Sequence, residues 1–277
     1  MERLKTYGLM IGLTVLFIWF GGLIGGKTGM IIAFVITLGM NFYAYFYSDQ
    51  MVLKHYKAVP VERGSARELY EIVEQLTRKA ELPMPKIYII PDGVPNAFAT
   101  GRDYDHAVVA VTEGLLKLLT KEEIEAVLAH ELSHIKHYDM LIGTVAATIS
   151  GAIAMLANFG MFFGHDDERP NPIVMIALML IMPLAASVIQ MSVSRSREFM
   201  ADEGAAKITG HPEWLQSALL KLESYAKGNM MQNAEPESAH MFIINPLTGK
   251  NFSMRNLFST HPTTEQRVER LEALKKL

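Results

Sequence analysis

The sequence contains no cysteine. Disulfides, thiolate metal ligands and cysteine nucleophiles are thereby excluded together, and any bound metal has to be held by His, Asp or Glu. A basic excess is also missing: 26 Lys and Arg against 29 Asp and Glu leave a net charge of -3, so nothing advertises a nucleic-acid partner. Charge is absent, finally, from four long stretches: residues 7–24, 30–47, 140–164 and 172–194. Those runs are nearly devoid of strongly polar residues as well, Asn41, Asn158 and Gln190 being the exceptions. That argues against an ion pathway through the membrane, and so against a zinc transporter.

What is present is apolar: half the residues are hydrophobic and the mean hydropathy is +0.16, high for a wholly soluble protein. The first two runs approach the length that crosses about 30 Å of hydrocarbon at roughly 1.5 Å per residue. They are separated by the short GGKTG (25–29), which predicts a transmembrane hairpin within residues 1–50. Trp19, Phe20, Tyr43, Tyr45, Phe46 and Tyr47 lie toward segment ends, as interface belts do. A cleaved signal peptide is disfavoured for the first run, because no small-residue cleavage site precedes a soluble segment and a second run follows at once. The later pair, 140–194, reads as two further spanning or membrane-embedded helices, with buried helices of a soluble domain as the alternative. Lys and Arg cluster near the N-terminus (Arg3, Lys5), after the second run (Lys54, Lys57, Arg63) and around the later pair (Lys136, Arg195, Arg197). The connecting loops hold only Lys27 and Arg169, so the positive-inside rule puts both termini and the polar regions, 51–139 and 195–277, in the cytosol.

Within those polar regions Ser65-x-x-Glu68 predicts a capping box opening a helix to about Ala80. KIYII (86–90), NAFAT (96–100) and HAVVAVT (106–112) read as extended segments around a PDGVP turn. Thr120-x-x-Glu123 predicts a second capping box, and helices are expected at about Pro212 to Lys227, before Gly228, and at Thr264 to Lys276. Pro262 is expected near the first helical position of the last one. Residues 229–259, which contain MFII (241–244), read either as a flap over a cleft with a short extra strand or as a surface connection.

The helix opened by Thr120 carries AHELSHIKHY (129–138). His130 and His134, four apart, share a helix face, so two imidazoles can converge on one ion with bonds of about 2.0–2.1 Å. Glu131 is turned by about 100°, beside the ion rather than at it, where it can take a proton from a water that the metal activates. The bland alternative is a solvated His/Glu face; His137, seven residues after His130, is read as a surface residue or as one supporting the site from outside the ligand set. A third ligand must be His or carboxylate. Glu198 is the best candidate, in SRSREFMADEGA (194–205), with Asp202 on the same face; one carboxylate can bind the metal while the other accepts the far N–H of a ligand histidine.

HELSHIKHYD, SRSREFMAD, PNAFATG and THPTTEQRVERL occur in an order that resembles the HtpX family of membrane zinc proteases and, more distantly, the CAAX prenyl endopeptidases. The resemblance covers nearly the whole chain. It implies an α+β, zincin-like protease domain combined with about four transmembrane helices, one zinc per chain held by His130, His134 and Glu198, Glu131 as general base and acid, and Asp202 orienting a ligand histidine. It further implies that Asn96 and Ala97 hold substrate backbone in extended form. His261 and Arg267 then lie near the scissile carbonyl, where a donor or cation stabilises the oxyanion. The family usually follows that histidine with two prolines; here the second is Thr263. The expectation is an endopeptidase of the prokaryotic inner membrane with a cytosolic site, acting on unfolded or membrane proteins in quality control. A membrane chaperone or scaffold with a structural zinc is the competing expectation.

Overall fold

The fold, from a computed structural model, describes residues 2–143, 145, 195–228, 243 and 262–275. The chain opens with α1 (Glu2–His55), two helical arms that meet at Gly25 and Gly26. Gly26, at φ 54° and ψ -142°, adopts a conformation open to glycine alone, and this lets the chain reverse. Asn41 on the second arm donates to Thr14 Oγ1 (2.7 Å) and Met10 O (3.3 Å) on the first, so the two arms pair side by side. Ile11, Val15, Ile31, Phe34, Val35 and Phe42 point outward, an apolar surface that only lipid or another protein would cover. The stretch Gly25–His55, 31 residues, is long and apolar enough to cross a membrane; the apolar part of the first arm, Thr6–Trp19, is shorter. All but residues 140–143 and 145 of the second apolar pair lie outside the described residues, as does most of 229–261.

A four-stranded mixed sheet follows, in the order β1-β2-β4-β3. Its strands are β1 (Val59–Val61), β2 (Lys86–Ile90), β3 (Ala97–Thr100) and β4 (Val108–Thr112). β2 and β4 run parallel, and β1 and β3 are antiparallel to their neighbours. Every residue of β4 is buried, because both faces of the sheet are covered, which is why VVAVT reads as an unbroken apolar run. One face carries α2 (Arg67–Ala80) and α4 (Lys121–Lys136), with Leu69, Val73 and Leu76 packed in one core with Val109, Val111, Val127 and Leu132. On the other face Val52 and Leu53, at the end of α1, pack with Ile90, Phe98, Val108 and Ala110. Arg102, just past β3, donates to Phe46 O at 3.5 Å and covers the Phe46 ring. The edge strand β3 is thus pinned to the end of the apolar hairpin.

Two helix starts correct the sequence reading. At α2 the first helical residue is Arg67 and the cap is Ala66, with no side-chain cap bond. Ser65 sits one residue too early and turns back, its Oγ bonding the N–H and the carbonyl of Glu62. In α7 (Thr264–Leu274) Thr263 is the cap and forms a full capping box with Gln266, so Pro262 stands before the cap, not inside the first turn. The box explains a threonine at that position: proline has no hydroxyl to take the Gln266 N–H. Sequence reasoning also passed over β1, α3 (Glu113–Leu118) and a short turn at Tyr104–His106.

The capping box of α4 forms as expected between Thr120 and Glu123. Glu123 also accepts from Ser217 Oγ (2.7 Å) and Lys221 Nζ (2.8 Å) on α6 (Pro212–Gly228). Burial pushes its carboxyl up, but bonds from Lys221, Ser217 and the Thr120 N–H outweigh that and hold it below the usual glutamate range. Glu123→Ala is expected to cost about 2 kcal/mol in chemical unfolding, from the lost cap and the unpaired donors. A group with a lowered folded pKa stabilises above its unfolded pKa. The wild-type advantage over Glu123→Gln should therefore fade as the pH falls through the lowered value.

Candidate metal centre

Helix α4 lies against α5 (Arg195–Thr209), closely enough that a methyl group on Gly204 would run into Ser133 Oγ. This contact sets His130 and His134 opposite Glu198. His130 Nε2 and His134 Nε2 face each other at 3.2 Å. The Glu198 oxygens stand 3.8 Å from the first and 3.6 Å from the second. Ligands about 2.0–2.2 Å from a tetrahedral zinc are about 3.3–3.6 Å apart, so the donor set fits that ion in number, type and spacing. Among the described residues His130, His134 and Glu198 form the one such group.

Each of the two imidazoles is backed by a carboxylate on the side of its ring away from the facing Nε2. Asp202, one turn after Glu198, places Oδ1 3.0 Å from His130 Nδ1. Asp139 Oδ2 lies 3.1 Å from His134 Nδ1. Such partners fix which nitrogen carries the proton and leave the other bare for a metal. Asp139 was overlooked in the sequence; an acid five residues after the second histidine, just past the helix end, is the only signal for it. His137 caps α4 through its main chain.

The local electrostatics follow from burial and these partners. Burial pulls His134 down, but the Asp139 bond and the charges of Glu198 and Glu131 raise it to about 9. His130 is held low by burial, with Arg267 adding to the effect against Asp202. Burial pushes Asp202 up, yet the Arg267 charge and bonds from His130 and Arg267 hold it below its ordinary value. Glu131, buried beside this cluster, is pushed up to about 7, chiefly by burial.

Glu131 points toward β3, where its Oε2 accepts the Ala99 N–H at 2.9 Å. Asn96 bonds the end of β4: its carbonyl accepts the Thr112 N–H (2.9 Å) and its N–H donates to Thr112 Oγ1 (2.8 Å). By the two-residue alternation of an antiparallel pair, Ala97 and Ala99 then direct their main-chain groups away from β4, toward α4. The Asn96 side chain is buried, and its Oδ1 accepts the Ile243 N–H at 3.3 Å. Arg267 is buried too. Its Nε and Nη2 reach Asp202 at 2.9 and 2.6 Å, Nη1 donates to Ile243 O at 2.9 Å, and Nη1 stands 3.8 Å from Glu198. The structure thus gathers His130, Glu131, His134, Glu198, Asp202 and Arg267 into one cluster, with Ala97 and Asn96 on the adjoining edge. His261 lies outside the described residues.

Comparison with known proteins agrees with this geometry. Residues 64–275 match the model of peptidase family M48. The protein named Protease HtpX homolog from Sulfurovum sp. (strain NBC37-1) is 72% identical over 276 residues, 99% of this chain and 100% of that protein. Its namesake from Campylobacter hominis is 59% identical over 279 residues, 99% of each. Among solved structures, the crystal structure of S. mikatae Ste24p is similar in fold, with a TM-score of 0.53 and 21% identity. That match covers 96% of this chain and 62% of the other. An HExxH helix met by a glutamate from a second helix, inside a match that takes in both, leaves one family assignment: the chain belongs to peptidase family M48, a family of metalloproteases.

Proposed function

We propose that the chain is an integral-membrane zinc endopeptidase of zincin-like α+β architecture, with its site on the cytosolic side of a prokaryotic inner membrane. In this reading residues 1–50 form a transmembrane hairpin. Residues 51–139 and 195–277 form the protease domain, and 140–194 is a second apolar pair in the membrane. Unfolded or membrane proteins are its substrates, and quality control its role. The observation that carries the catalytic reading is the facing of His130 and His134 Nε2 with Glu198 at 3.2–3.8 Å, beside an acid that binds none of them. Three protein ligands among the described residues is the number zinc hydrolases use, which favours catalysis over a structural zinc in a chaperone.

Zinc held by His130, His134 and Glu198 would supply a Lewis acid for the scissile carbonyl and a lower pKa for water. Glu131 takes the proton of the attacking water and delivers it to the leaving amine. Burial pushes its carboxyl up, the direction that helps a general base hold a proton long enough to return it. The Ala97 edge offers main-chain groups to an extended substrate, which binds irrespective of sequence. The Asn96 side chain already accepts one main-chain N–H, that of Ile243, and would steady the substrate edge. Oxyanion donation falls to His261 or Arg267. Pinning β3 to the end of the hairpin keeps this edge close to the bilayer surface, where a membrane substrate emerges.

Removing metal from the detergent-solubilised chain with a chelator is expected to stop casein cleavage, and one equivalent of zinc should restore it. Cleavage that persists with metal content below a tenth of an equivalent would end the proposal, about a tenfold margin below one ion per chain.

A further inference from the structure

The apolar pair 140–194 is inserted between the two halves of the metal site, and the residues bracketing it meet. Helix α4 ends at Lys136, His137 is its cap, and Tyr138 takes the left-handed conformation at φ 60°. A side chain there costs about 1–2 kcal/mol. Tyr138 is held by stacking on Tyr104, ring centroids 4.1 Å apart, while Tyr104 Oη donates to Lys136 O at 2.8 Å. The turn reverses the chain, so that Asp139 folds back along α4 and reaches His134 Nδ1 at 3.1 Å. A new helical stretch starts there, 139–143, with Met140, Leu141 and Ile142 buried. At the other end of the insertion Arg197, in the first turn of α5, brings Nη1 within 3.8 Å of the second Asp139 oxygen. Asp139 and Arg197 are both largely buried, their side chains 8% and 9% exposed.

We infer that Asp139 is a positioning residue for the metal centre, orienting His134 from the mouth of the inserted apolar pair, and that Arg197 clasps it from the pair's exit. The inference rests on His134 being a metal ligand. His130 is oriented from within the domain, by Asp202, one turn from Glu198 on the same helix. His134 is oriented by a residue whose backbone leads directly into the insertion. A shift of either end of that pair therefore moves the imidazole relative to the ion, which gives the two ends of the insertion a direct grip on His134.

The test is metal affinity of the full-length chain in detergent, measured by competition with a chromophoric chelator, with the visible spectrum of the cobalt-substituted site as second readout. Asp139→Ala should weaken zinc binding by about 10–100-fold and alter the cobalt bands, while the metal-free protein keeps its helical circular dichroism. Asp139→Asn keeps the shape without the charge and should weaken binding by about threefold or more; it decides the matter alone if the alanine variant does not fold. Weakening below these limits with wild-type cobalt bands overturns the inference. Wild-type chain that takes up no zinc, or His134→Ala that binds it undiminished, would instead defeat the metal-site reading on which it stands.

Discussion

Glu131→Gln is expected to lower the rate of casein cleavage by roughly three to four orders of magnitude while zinc content stays at one per chain. The expectation follows from where the side chain is. Glu131 is buried, it is not one of the three converging donors, and one of its oxygens accepts the Ala99 N–H. Glutamine has the same size and retains a carbonyl oxygen that can accept that N–H. The helix, the β3 edge and the ligand set should therefore survive the change, and only the ability to accept and return a proton is lost. Peptide cleavage by purified full-length protein, zinc content by atomic absorption and the melting temperature together check it. A variant cleaving at the wild-type rate would remove Glu131 from the mechanism. A variant that has lost its zinc would mean that the ligand set was misidentified.

The legible parts of this molecule were those encoded by short, local chemistry. The Thr120 capping box and HELSH place two imidazoles and a carboxylate on one helix, because 3.6 residues per turn fix their relative directions whatever surrounds them. Glu198 and Asp202 obey the same spacing, so their shared face was readable, though which of them meets the ion depends on how α5 crosses α4. That is a matter of Gly204 against Ser133, sixty and more residues apart. Ser65-x-x-Glu68 shows the limit of the local rule: the motif is present, yet the helix starts one residue later and the serine spends its hydroxyl on Glu62. Asp139 was hidden for a related reason, since its approach to His134 requires a left-handed tyrosine, a conformation that side chains disfavour and the Tyr104 stack helps to sustain. The Thr263–Gln266 box was in plain view but masked by the neighbouring proline, which looks like a helix start by itself.

Arg267→Met is expected to destabilise the protein by about 3–5 kcal/mol, the largest loss among single changes at this cluster. Arg267 is 2% exposed and grips Asp202 with two N–H groups, at 2.9 and 2.6 Å, a fork-to-carboxylate geometry that a lysine cannot reproduce. Its charge is part of what keeps Asp202 ionised in spite of burial, and ionised Asp202 is what fixes the far nitrogen of His130. Methionine fills similar volume but leaves that carboxylate buried without its cation and leaves Ile243 O without its donor. Much of the loss is the cost of the stranded charge, so the double variant Asp202→Asn, Arg267→Met should recover a substantial part of it, a coupling measurable in a double-mutant cycle of denaturant unfolding. Arg267→Lys should fall between, retaining charge without the fork. The same series separates positioning from oxyanion stabilisation. If Arg267 acts mainly by holding Asp202, Arg267→Lys weakens zinc binding and stability together, and its residual cleavage recovers when zinc is raised to saturation. If instead its chief role is on the scissile carbonyl, kcat falls at saturating zinc with stability within about 1 kcal/mol of wild type, well short of a broken buried pair.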